Sequence, residues 1–161
     1  MSQYKGMNRR IKDALITILS GITYDTGSGA EPAFVSVLDN TKDEFEGYPA
    51  IRILPNNLSS VIVTNTQNDH TVSFAVIMHF PLNSPDEVES SIYNRMYDLT
   101  DLIIDTTEHS DYIGQLSTID ANIQNWLMTV KQGRWYIANG KAGSLLLCNL
   151  DIQVSYSKDV F

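Results

Sequence analysis

Two long stretches alternate at period two, and they constrain this chain more than anything else in it. In "TVSFAVIMHF", Val72, Phe74, Val76, Met78 and Phe80 take one side of an extended strand, while Thr71, Ser73, Ala75, Ile77 and His79 take the other. In "GSLLLCNLDIQVSYS", Leu146, Cys148, Leu150, Ile152, Val154 and Tyr156 alternate with Asn149, Asp151, Gln153 and Ser155. Strands patterned this way have one face for a core and one for water. That is the pattern of an antiparallel sheet covered on one side.

Two segments have the helical period needed to cover it. Ile11, Ala14, Leu15, Ile18, Leu19 and Ile22 form one apolar stripe, which predicts a helix over roughly 8–21 with Asn8 as N-cap and Gly21 as stop. In "NSPDEVESSIYNRMYDLTDLIIDTTEH", Ser84, Pro85 and Glu87 form a capping box. Val88, Ile92, Met96, Leu99 and Ile103 then make the buried stripe of a second helix, about 85–107.

Between these signals, "TYDTGSGAEP" reads as loop, "AFVSVLD" as a short strand, and 40–48 as a polar, acidic loop. That loop runs into "EGYPAIRILP". Pro49 suits a first strand position, Ile51 and Ile53 share a face, Arg52 takes the other, and Pro55 is expected to end the pairing. "SSVIVTNTQNDHTVSFAVIMHF" reads as a long hairpin turning at Gln67-Asn68-Asp69. Three closing strands are expected, separated by Gln132-Gly133 and by Asn139-Gly140, the second a favoured tight turn. The fold class is therefore α+β: a mainly antiparallel sheet of about six strands with two helices packed on one face. It forms a single domain over 1–161, with Leu15, Leu19, Phe74, Ile92, Leu99 and Leu150 in its core.

Composition narrows the function classes. The 161 residues carry a net charge of −8, a poor basis for sequence-specific nucleic-acid binding, which needs clustered cations. The single cysteine, Cys148, allows no intramolecular disulfide and no Cys-based zinc finger. No apolar run reaches membrane-spanning length. The basic N-terminus is broken by Lys12 and Asp13 and reads as an intracellular helix start, not a leader. His70, His79 and His109 are scattered, without metal-ligand spacing. "TGSGAE" and "NGKAGS" lack the spacing of nucleotide loops and read as turns. We expect no catalytic residues, no metal and no cofactor, hence no enzyme.

Two charge patterns remain. Lys5, Arg9, Arg10 and Lys12 crowd the first helix's start, where positive charge opposes the helix dipole. Asp98, Asp101, Asp105 and Glu108 recur at spacings of three and four along the second helix. They are either solvated faces or complementary surfaces of neighbouring subunits. Trp135 and Tyr136 point to opposite faces of one strand, so that one suits the core and the other an interface.

This element order resembles the tail terminator proteins of long-tailed bacteriophages, with neck and tail-completion proteins as the neighbouring class. The features shared are a helix with a basic start, an acidic loop ending in "GYPAIRILP", a long hairpin, a capped helix after "PLNSPDE" and closing strands. The resemblance implies a structural virion protein at the tail–neck junction, assembled in the host cytoplasm. Such a protein forms a ring with itself, a hexamer in the family, that caps the tail tube, ends its polymerisation and gives the head a docking surface. Its partners would be the tail tube protein, a neck or head-completion protein and, in a contractile tail, the sheath protein. No membrane is involved. Arg9, Arg10, Asp98, Asp101, Asp105 and Glu108 are candidates for the ring interface. Gln67, Asn68, Asp69 and His70, at the hairpin tip, are candidates for the tube contact. The alternatives are a neck or head–tail connector, a tail tube protein, or, from another class, a small ligand-binding domain or enzyme.

Overall fold

The computed structural model describes residues 6–25, 27, 29–64, 67–82, 90–108, 116, 119–121, 123, 126–140 and 143–159, without the side chains of 59–64, 67–68, 90, 107–108, 126, 132, 140 and 157–159. Helix α1 spans Met7–Ser20 and buries Ile11, Ala14, Leu15, Ile18 and Leu19. Its N-cap is Gly6, not Asn8, and no side chain caps it. Gly21 ends it as expected, donating to the Thr17 and Ile18 carbonyls at 3.2 and 3.1 Å. Helix α2 spans Ser90–Glu108. The Ser84-Pro85-Glu87 capping box and Val88 lie outside the described residues.

Among the described residues the main sheet has five strands: β3 (Ser36–Leu38), β4 (Ala50–Thr64), β5 (Gln67–Leu82), β6 (Trp126–Gly140) and β7 (Gly143–Asp159). They lie in the order β3-β4-β5-β7-β6, with β3 parallel to β4 and every other pair antiparallel. A separate two-stranded ladder, β1 (Thr23–Asp25) with β2 (Ala30–Pro32), closes "TYDTGSGAEP" into a hairpin where a loop was expected. The fold is α+β with a mainly antiparallel sheet.

Three breaks expected from the sequence fall elsewhere. Pro55 does not end a strand: it pairs with Phe74, and the register shifts just after it, between Pro55 and Asn57. Among the described residues β4 has no partner on its other side there, so the missing proline N–H costs no ladder bond. Gln132 and Gly133 do not turn: they pair with Asp151 and Leu150 inside β6, just after a bulge at Lys131, so among the described residues the three expected closing strands are two. Thr64 pairs with Gln67, so Gln67-Asn68-Asp69 belong to β5 and are not the turn expected there.

The alternate side chains of β5 and β7 meet row by row: Phe74 opposite Ile152, Val76 opposite Leu150, Met78 opposite Cys148. Together with Ile51, Ile53 and the stripes of both helices they form one apolar cluster, so both helices cover the same sheet face. Leu15, Leu19, Phe74, Leu99 and Leu150 are buried, and Ile92 packs half-buried against them. Leu99 is 0% exposed in α2. Truncating it to alanine should destabilise the protein by about 2–5 kcal/mol, measured by chemical denaturation.

Candidate functional site

Among the described residues helices cover one sheet face, which leaves Thr71, Ser73, Ala75, Ile77 and His79 of β5 on the other, beside Asn149, Asp151, Gln153 and Ser155 of β7. At one end of this open face the acidic loop 39–49 folds back over the strands, and Arg52 holds it there. Its guanidinium donates to the Asn40 carbonyl and, at 2.9 Å, to the Asp43 carbonyl. It also lies 4.3 Å from the centre of the Phe45 ring. Arg52 therefore pairs with backbone oxygens, not with a carboxylate. The planar guanidinium forks to two acceptors and stacks at once. Asn40 tightens the loop from within, accepting from the amides of Lys42 and Asp43.

Phe45 continues the stack onto His79, 4.8 Å between ring centres, and meets Tyr48 edge-on at 5.7 Å. The lid explains why a histidine on the open face is only 9% exposed. Its Nδ1 lies 3.0 Å from the Ile77 carbonyl, to which the protonated ring nitrogen donates. Burial, with the nearby Arg52 charge, holds His79 below its ordinary pKa, against the pull of its backbone bonds. The Tyr48-Pro49 peptide is cis, and the Pro49 carbonyl accepts from Val35 at 2.8 Å.

The basic start of α1 is satisfied within the chain. Arg10 bonds Asp120 at 2.9 Å. Lys12 reaches Asp13 at 2.9 Å and Asp39 at 2.7 Å, tying α1 to the loop after β3. Desolvation would lower the Lys12 pKa, but the two carboxylates outweigh it and hold it above its usual value. The need for a partner outside the subunit, read from the adverse helix dipole, therefore disappears for these two cations. Arg9 stays exposed, on the rim of an open groove of about 440 Å³ floored by Ile53, Val72 and Phe74.

On α2, Asp98 accepts from the Tyr24 hydroxyl at 2.8 Å. Asp101 and Asp105 are exposed and flank an open cleft of about 320 Å³ with Asp25. The Glu108 side chain lies outside the described residues. The stripe is thus split between an internal bond and solvent. Gln67, Asn68, Asp69 and His70 do not form a tip: their backbones pair with β4 on one side and β7 on the other. The His70 ring stacks on Tyr156 at 5.2 Å, and Tyr156 donates to Asn8 of α1 at 2.8 Å.

Trp135 and Tyr136 face opposite ways, as the alternation requires, but both remain accessible. Trp135 is 51% exposed at the helix-side rim, meeting Tyr93 of α2 edge-on at 5.5 Å. Tyr136 is on the open face, beside the Arg134 guanidinium at 5.7 Å. Cys148 is buried, and burial pushes its thiol pKa up. Among the described residues no three His, Cys, Asp or Glu side chains are grouped to hold a metal, and no helix is long and apolar enough to cross a membrane. His109 lies outside the described residues. No protein-family model matches the chain, and no curated protein matches it.

Two outcomes are expected here. The unfolded chain takes up a proton near the ordinary histidine pKa of about 6.5, whereas folded His79 does so only at lower pH. Its contribution is thus full above that value and lost as pH falls through the window beneath it. The drop in Tm from pH 7.5 to 5.5 should be smaller for His79→Gln than for the parent in matched thermal melts. Arg52→Ala should free the loop, lowering stability by about 1 kcal/mol and speeding amide exchange across 40–46; Arg52→Lys should not restore protection, since an ammonium lacks the planar fork.

Proposed function

We propose that this chain is a structural virion protein of the tail terminator type. In this reading it assembles into a ring that caps the tail tube of a long-tailed phage, ends tube growth and presents a surface to the neck or head-completion protein. The observation that carries the reading is the division of the molecule: helices cover one sheet face, while large apolar side chains stand exposed along the edge strand β6. A subunit built this way has surface left for neighbours on its flank and its open face. The sequence resemblance supplies the identity of those neighbours. Sheath protein would join them in a contractile tail, and the site would be the tail–neck junction of the virion.

Capping in this reading is steric. One ring face matches the last ring of the tube, and the other offers nothing onto which a further tube subunit can add. No bond is made or broken, and no cofactor or metal takes part.

The test is to add purified protein to polymerising tube protein of the same phage and measure tube lengths by electron microscopy. Arrested growth with rings at tube ends is expected; unaltered elongation rules the reading out. If the protein itself polymerises into long tubes, the tail tube alternative replaces it.

The far end of the β4–β5 hairpin is the proposed tube contact, with its reach set by the pairing of Thr64 with Gln67. Replacing 62–68 by Asn-Gly closes the hairpin at the Val61–Asp69 pair. This shortened protein should fold and oligomerise as the parent does, yet let tubes grow longer in the same assay. Equal capping by both proteins would remove the hairpin end from the contact.

A further inference from the structure

The ring reading requires a head-to-tail contact between copies, and the structure assigns one: the β6 edge of one copy docks on the segment 35–48 flanking β3 in a second copy. The inference rests on the ring reading for its biological setting, but its evidence is separate.

Among the described residues, β6 pairs with β7 and with no other strand, so it is an edge of the main sheet. Its side chains are unusually apolar for such a position. Leu127 is 65% exposed, Trp135 51%, Tyr136 39% and Ile137 37%. Trp135 extends the patch to α2, where Tyr93 stacks on Tyr97 at 6.5 Å. Its charged residues, Lys131 and Arg134, are both cations, and both are exposed. In a chain of net charge −8, a strand with two cations and no carboxylate is a local reversal of sign.

The opposite flank has the complementary arrangement. Val35 is 53% exposed and Tyr48 40%. They belong to one patch: a Cβ on the intervening Gly47 would sit 2.7 Å from Val35 Cγ1, so glycine allows the two segments to close up. Around this apolar pair the loop presents exposed Glu44 and Glu46, held in place by the Arg52 fork and the Phe45 stack.

The two patches are also level with each other. One row crosses the sheet from Ser36 through Ala50, His79 and Leu147 to Tyr136. The next runs from Leu38 through Arg52, Ile77 and Asn149 to Arg134. Each spans four strand spacings, about 19 Å in all. Moving a second copy sideways along these rows therefore brings Val35, next to Ser36 on the first row, towards Tyr136 and Ile137, and the loop carrying Glu44 and Glu46, held by Arg52 on the second row, towards Arg134. Because the two patches differ, the contact is heterologous, the kind that closes a ring when the rotation allows. The apolar anchors supply affinity and the charges set register and exclude like-charged pairings.

Charge reversal with mixing tests the contact. One variant carries Lys131→Glu with Arg134→Glu; the other carries Glu44→Lys with Glu46→Lys. Each alone brings like charges together, and sedimentation velocity should show self-association weakened roughly tenfold or more. An equimolar mixture restores both pairings and should regain the parent's oligomer. Circular dichroism confirms that each variant is folded, and should a reversed variant unfold, Lys131→Gln with Arg134→Gln is read in its place. A parent that is monomeric at about 100 µM overturns the inference, with Lys131 and the bulge beside it then acting only to guard an edge strand. So does a reversed variant that keeps the parent's oligomer by itself. Rings that form through this contact but leave tubes growing would uphold the contact and remove the tail-end function.

Discussion

Burial of one face of the β5–β7 pair is the constraint to which most of the molecule answers. These two strands pair along their whole length and place Phe74, Val76 and Met78 against Ile152, Leu150 and Cys148. Because side chains alternate at period two, a one-residue slip would turn this whole set into water. The two helices lie where that face requires cover, and their own stripes are buried by it. Along β5 and β7 the other face carries mostly short or polar residues, with His79 sheltered by a loop, while β6 leaves Leu127 and Tyr136 exposed on it. The exposed edge and the loop over the open face both follow from a sheet buried by helices on one side.

What was legible in the sequence was what depends on period. The stripes of Ile11 to Leu19 and Met96 to Ile103 and the alternation of β5 and β7 follow from side-chain direction alone, and the structure contains them. Punctuation was less legible. Gln132-Gly133 has the composition of a turn, yet β6 runs through it, paired with Asp151 and Leu150. A Cβ on Gly133 would lie 2.9 Å from Leu150 Cδ2 and push that side-chain end aside, an approach visible only once β7 is in place. Pro55 reads as a stop, but an edge position tolerates it. Polar residues at Gln67 to Asp69 suggested a turn, yet all three pair within β5.

Charge was the least legible layer. The cations at the start of α1 face an unfavourable dipole, which suggested a partner beyond the subunit. Arg10 finds Asp120 and Lys12 finds Asp39, partners distant in sequence that no local pattern reveals. Arg52 was recognised as lying on the face opposite Ile51 and Ile53. That it would grip carbonyls of its own acidic loop could not be read, since the loop's path depends on Phe45 finding His79. The β6 edge was foreshadowed only by Trp135 and Tyr136, and their accessibility follows from strand order, which periodicity does not encode.

The strand order also has a consequence for synthesis. β5 is followed by α2 and β6 before β7 appears, and Gln67 finds its β7 partner only at Asp159. A chain emerging from the ribosome therefore leaves one edge of β5 unpaired, with β4 as its strand neighbour, until β7 has been made. Contacts so distant in sequence close slowly, because the loop entropy must be overcome before they form. An open edge of that length is a template for wrong pairing over this interval, and loss of β7 would leave the central strand open rather than merely shorten the sheet.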